Sequence, residues 1–242
     1  MHGILEGNSF HIAAREYFRL LNRGYPEKRS RRLVADHYSL NKHQRTALYR
    51  GIFPDRVNER RIRKRVSGEG IHGNILMVDL FNTLLLIINY LYGRNVFIAT
   101  DLFFRDDGEN FSRFDNQQFY TDAFRMIGDS IVSLSPHKTL FIIDAGPRPG
   151  YPPFLQDPRQ IRQQLGISPD TVELTITKKV DKELINAQKE TIATSDSRIL
   201  DRCPGRTFDL AAYALSHSFS PRVPDLHSIV YDSLKMNSDK DL

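Results

Sequence analysis

Ile75-Leu76-Met77-Val78-Asp79, followed three residues later by Asn82, is the stretch on which the fold turns. An unbroken apolar run of this length fits a strand buried on both faces, the environment of a parallel sheet. A carboxylate at its end, beside Val78 and Phe81, is costly to bury without a partner. The pattern recurs. Leu140 to Ile143 runs into Asp144, and Thr191-Ile192-Ala193 runs into Thr194-Ser195-Asp196-Ser197. In open α/β sheets ligands bind outside the carboxyl ends of the strands, so acids at several strand ends are expected to meet along one edge. Carboxylates gathered there repel one another unless a cation holds them, and hard oxygen donors suit Mg²⁺ or Mn²⁺.

Working outward, strands and helices alternate. Helical patterns are expected over 82–92, 117–134, 157–165 and 197–202, with a short helix headed by Asp181. A strand or hairpin arm is expected over 96–100 and a further strand over 172–176. This alternation predicts an α/β domain over 72–215 with a parallel sheet flanked by helices. Residues 67–73, with three glycines, read as a linker or a tight entry turn, and residues 216–242 as a loosely ordered tail. Residues 1–68 read as a small all-α domain. Ser9 can cap a helix carrying Phe10, Ala13, Ala14, Tyr17, Leu20 and Leu21, and Pro26 can open a second. Asn41 with Gln44 forms a capping-box pattern for a third, and Asp55 can cap a fourth. The tight turn at Ser39-Leu40-Asn41 is compatible with a helix-turn-helix.

The net charge of +5 over 242 residues conceals an asymmetry. Residues 1–68 hold 16 Lys and Arg against 6 Asp and Glu, while residues 69–242 hold 18 against 23. A basic module joined to an acidic one suits a nucleic-acid enzyme, one part neutralising phosphates and the other holding metal. The outer face of the fourth helix, with Arg60, Arg61, Arg63 and Lys64, is the expected contact, joined by Lys178 and Lys179. Solvation alone is the competing explanation of these charges. The single cysteine, Cys203, excludes an internal disulfide framework and a cysteine-rich zinc site, and fits the reducing cytoplasm. Leu84 to Leu91 is too short to span a bilayer, so no membrane partner is expected. No glycine-rich phosphate loop follows a strand, no nucleophile-elbow serine occurs, and the histidines lack ligand spacing.

Met77-Val78-Asp79-Leu80-Phe81-Asn82, Phe141-Ile142-Ile143-Asp144, Lys178-Lys179-Val180-Asp181 and Thr194-Ser195-Asp196-Ser197, with a trailing acid at Asp201, together resemble the PIN and NYN superfamily of metal-dependent nucleases. The whole chain is similar to an uncharacterised, largely archaeal family in which a small helical domain precedes a PIN-like domain. That match spans roughly residues 15–215 and is carried by Leu21-Asn22-Arg23-Gly24-Tyr25 and by residues 41–50 and 193–202. The resemblance implies hydrolysis of RNA, with DNA second, through bound Mg²⁺ or Mn²⁺. Asp79, Asp181 and Asp196 would be ligands, with Asp144 and Asp201 as further ligands or acceptors behind them. Asn82 and Ser195 would orient ligands or phosphate, although capping a helix and a turn explains them equally well.

The chain departs from the pattern in a proline-rich loop over 146–153. The acid expected on the central helix could be Asp122 or Asp129. Asp101 and Asp106 match acids of the closer family without a clear role, and Phe111 and Phe114 could stack on bases, with packing the favoured explanation of those rings. A catalytically inert nucleic-acid-binding or regulatory protein is the alternative to an endoribonuclease. A phosphatase or flap-type nuclease, a toxin-like nuclease with a regulatory protein partner, and a homodimer also stay open.

Overall fold

The computed structural model describes residues 2–108, 117–145 and 153–238. Along the chain, α1 (Asn8–Asn22), α2 (Glu27–His37), α3 (Lys42–Gly51) and α4 (Asp55–Lys64) precede β1 (Ile75–Asp79) and α5 (Leu80–Leu91). A hairpin of β2 (Val96–Ile98) and β3 (Phe104–Asp106) leads to α6 (Gln117–Leu134), β4 (Lys138–Asp144), α7 (Pro158–Leu165), β5 (Val172–Thr177) and α8 (Val180–Asn186). The chain continues through β6 (Thr191–Ala193), α9 (Ser197–Arg202), β7 (Thr207–Phe208), α10 (Leu210–Ser218) and α11 (Leu226–Ser238).

Two compact units form. One holds residues 1–63, 93–108 and 222–242, and the other residues 64–92 and 109–221. In the first, helical, unit the core joins Phe10, Ala13, Ala14 and Tyr17 of α1 to Ala47 and Leu48 of α3, Phe97 of β2, and Leu226 and Val230 of α11. The capping box at Asn41 and Gln44 is present, each side chain bonding the other residue's backbone N–H at 3.0 Å. The expected loose tail is corrected here. Leu226 and Val230 stand four residues apart on one face of α11, and that spacing lets the helix bury both. Of the two readings of residues 96–100, strand or hairpin arm, the hairpin arm is found: β2 pairs antiparallel with β3, and both belong to the helical unit.

The second unit is a mixed α/β structure whose five-stranded sheet is parallel throughout, in the order β5-β4-β1-β6-β7, with helices flanking it. β1 sits at the centre because both faces of its apolar run are covered. Met77 of β1, Ile142 of β4 and Ile192 of β6 pack with Leu184 of α8 and Ile199 of α9. Helices α5, α6 and α10 pack against one another. The chain moves outward from β1 through β4 to β5 and then returns to β6 on the other side of β1. The strand order therefore reverses between β1 and β6, and a crevice forms where connections leave such a point in opposite directions.

Candidate functional site

Because the strands are parallel, the ends of β1, β4, β5 and β6 point the same way and their following loops share one edge. The register pairs Val78 with Ala193, so Asp79 and Thr194 come level across the switch point. The Thr194 hydroxyl donates to Asp79 Oδ2 at 3.0 Å, and the Asn82 backbone N–H donates to Asp79 Oδ1 at 3.4 Å, making Asp79 the cap of α5. Asn82 Oδ1 accepts from the Ser195 backbone N–H at 2.8 Å and from the Ser195 hydroxyl at 2.9 Å. These bonds tie the end of β1 to the end of β6. Asn82 and Ser195 thus hold each other, an interlocking of two loops.

A cleft of about 520 Å³ opens at this edge. Asp79, Asp144, Asp181 and Asp196 all line it, with Asn82, Lys178 and Lys179. Four segments far apart in sequence deliver these side chains to one place. Asp201 is exposed on α9 and Asp122 and Asp129 lie on α6; none of the three is among the lining residues. Lys182 and Arg198 also line the cleft and were not anticipated. Arg198 Nη2 donates to Asp181 Oδ2 at 3.0 Å, and its Nε lies 3.8 Å from Asp196 Oδ1. A cation two residues after a helix-capping aspartate was the available signal for this bridge.

Asp79 is 8% exposed. Its carboxyl is raised to about 7, chiefly by burial, with the charges of Asp196 and Asp181 adding to the rise. The bonds from Thr194 and Asn82 offset part of the rise. The donor set suits a hard divalent cation in kind, being carboxylate oxygens that raise one another's proton affinity. Their arrangement is looser. Among the described residues, no group of three or more acids, histidines or cysteines is gathered as a metal ion needs. Arg198 serves instead as the counter-charge of Asp181 and Asp196.

The basic residues expected to contact nucleic acid divide. Lys178 and Lys179 are exposed beside the acids, and Arg60 and Arg63 are exposed on α4. Arg61 is corrected: it is 2% exposed, inside the helical unit, where its Nη1 bonds Asp101 Oδ2 at 2.8 Å. Arg105 bonds the same carboxylate at 2.5 and 2.7 Å, and Phe53 lies under the Arg61 guanidinium at 4.1 Å. Burial pushes the Asp101 carboxyl up, but Arg105 and Arg61 outweigh it and hold the group below the usual carboxylate range. Lys64 is corrected too, since its Nζ is taken by the Leu200 and Cys203 carbonyls. Asp106 pairs with Arg50 at 3.1 Å, so Asp101 and Asp106 have structural partners within their own unit. Cys203 is a free, buried thiol whose pKa is raised by burial. Phe111, Phe114 and residues 146–152 of the proline-rich loop lie outside the described residues.

Fold and cleft define a parallel α/β protein with an acidic, lysine-rimmed crevice at the carboxyl edge of its sheet, together with a helical unit. The chain belongs to the family described as "Domain of unknown function (DUF5616)", whose model matches residues 68–213. Residues 9–64 match a second model, "Protein of unknown function (DUF434)". The archaeal "Uncharacterized protein MJ0935" of Methanocaldococcus jannaschii is 25% identical over 188 residues, covering 77% of this chain and 87% of that protein. These descriptions name no nuclease. No solved structure matches. Among the described residues, no helix is long and apolar enough to cross a membrane.

Proposed function

We propose that this protein is a PIN-like, divalent-metal-dependent nuclease that hydrolyses phosphodiesters, RNA ahead of DNA, in the cleft at the carboxyl ends of β1, β4 and β6. One observation carries the reading: Asp79, Asp144, Asp181 and Asp196, drawn from four separate segments, line a single cleft whose rim holds Lys178, Lys179 and Lys182. Acids beside lysines suit a substrate that is itself anionic. The lysines attract its phosphates, and the carboxylates favour the cation that phosphate chemistry uses.

Asp79, Asp181 and Asp196 would hold the ion, with Asp144 alongside. When bound, such an ion supplies an activated water and neutralises charge on the phosphate oxygens. The chain's own part is positioning. Thr194 and the α5 amino end fix the Asp79 carboxylate, and the Asn82–Ser195 bonds hold the two loops in register. Lys178 and Lys179 bind and orient substrate phosphates. Arg198 keeps Asp181 and Asp196 paired in the free protein, and its guanidinium can pass to a phosphate when substrate arrives.

That same arginine favours a second reading, an inert PIN-like domain that binds nucleic acid, in which the guanidinium takes the cation's place permanently. One assay separates them: cleavage of labelled single-stranded RNA and DNA with Mg²⁺, Mn²⁺ or EDTA. The nuclease reading expects metal-dependent cutting that falls by at least about a hundredfold, a loss of about 2.7 kcal/mol of transition-state stabilisation, in both Asp79→Asn and Asp196→Asn. Cleavage at the wild-type rate in folded Asp79→Asn, or no cleavage by wild type with either metal, overturns it.

A further inference from the structure

The helical unit also has a basic groove away from α4. This groove of about 590 Å³ runs between α2 and α3, lined by Lys28, Arg31, Arg32, Lys42, Arg45 and Tyr49 with two small residues. No carboxylate is among the lining residues. One nearby acid, Asp36, is already engaged: Arg45 Nη1 bonds it at 2.6 Å, and Arg32 approaches at 3.6 Å. Arg45 also donates to the Leu40 and Ala35 carbonyls, so it acts as a fixed strut between the two helices. Lys28, Arg32 and Lys42 remain directed to solvent on the exposed faces of α2 and α3.

Tyr49 distinguishes this groove from a merely solvated basic surface. Tyr49 is 51% exposed, on the face of α3 that carries Lys42 and Arg45. The Arg31 guanidinium lies over the ring, 4.5 Å from its centroid. A flat aromatic stiffened by a stacked guanidinium and surrounded by cations is the combination that receives an unpaired base and its flanking phosphates. A fully paired duplex offers phosphates but keeps its base faces stacked, leaving Tyr49 without a function.

We propose that the α2–α3 groove is a binding site for single-stranded nucleic acid, with Lys28, Arg32 and Lys42 on the phosphates and Tyr49 as a base-stacking platform. The proposal rests on the reading of the ligand as nucleic acid but not on cleavage. It also moves the contact expected on α4 to a different pair of helices.

Fluorescence anisotropy of full-length protein with labelled rU12, dT12 and a 12-base-pair duplex, all in EDTA, tests it. Lys28→Ala/Arg32→Ala/Lys42→Ala should weaken binding of rU12, dT12 or both by about tenfold or more. It should also lower the steepness of log affinity against log salt by about 2, near 0.7 for each lost phosphate contact. Tyr49→Ala should weaken single-strand binding by about fivefold or more, Tyr49→Phe should restore it, and the duplex should be insensitive to both. These positions are exposed, and thermal melting verifies that each variant folds. Unchanged affinity and slope in the triple variant, while Arg60→Ala/Arg63→Ala loses binding, overturns the proposal. So does Tyr49→Ala binding single strands as wild type does, or no binding of either single strand. Groove-dependent binding without metal-dependent cutting removes the nuclease reading alone; cutting that is indifferent to the groove variants removes this proposal alone.

Discussion

Asp79 carries an acid into a nearly closed space, and its consequence is a dependence of stability on pH. Its folded pKa of about 7 stands above the ordinary 3.8, so between those values the native state holds a proton that the unfolded chain has released. Stability from this group is therefore fully present below about pH 4 and is lost as pH rises through about 7. The gap corresponds to roughly 4 kcal/mol at most. Asp79→Asn cannot titrate, so in EDTA its stability relative to wild type should rise by roughly 2–4 kcal/mol between pH 5 and pH 8. Urea denaturation at the two pH values measures this, and parallel profiles for the two proteins would contradict the burial argument. At this scale the strand-end acids were legible because an apolar run ending in aspartate is a local pattern. Arg61 was not: its neighbours Arg60 and Arg63 are exposed, and only the distant Asp101 draws it inward. The roles of Thr194, quoted only as part of its motif, and of Arg198 were not readable, because a hydroxyl or guanidinium has no partner until the chain folds.

Among elements, the close approach of α6 and α7 depends on one glycine. A Cβ placed on Gly128 would lie 2.0 Å from the Leu165 carbonyl oxygen, which is backbone and cannot swing aside. Gly128→Ala must therefore separate the helices, despite alanine's higher helix propensity. An overpacking cost of about 1–3 kcal/mol or more is expected, read as a lower midpoint in urea with an unchanged slope. A midpoint equal to wild type would mean that α7 moves away freely. Element legibility followed length. Helix α6 and the cap of α7 by Asp157 were readable from periodicity and turn chemistry. Strands β3 and β7, of three and two residues, are too short to show any period. Helices α10 and α11 were hidden by the prolines between them, which mark the connection and not a loss of order.

For the whole molecule, the chain passes repeatedly between its two units, and the helical one is assembled from three separate segments. Charge division and the 67–73 linker gave a two-part reading along the sequence, but neither can reveal that residues 93–108 and 222–238 return to the first part. That return is a matter of long-range burial. Leu226 and Val230 enter the core formed by α1 and α3. Three bonds reinforce them: Arg15 Nε to the Ile229 carbonyl at 2.9 Å, the Tyr231 hydroxyl to Asp55 at 2.5 Å, and the Ile98 backbone N–H to the Pro224 carbonyl at 2.9 Å. Leu226→Ala should cost about 2–5 kcal/mol as a core truncation. The loss should also be regional. Hydrogen exchange of the variant should show lost protection in α1, α3 and β2, while β1 and β4 of the parallel sheet keep theirs. Equal loss in both units would show that they unfold as one cooperative body; unchanged protection in α1 and α3 would show that the C-terminal helix contributes nothing to their core. The regional outcome is the one the burial pattern requires, since neither Leu226 nor Val230 belongs to the sheet unit.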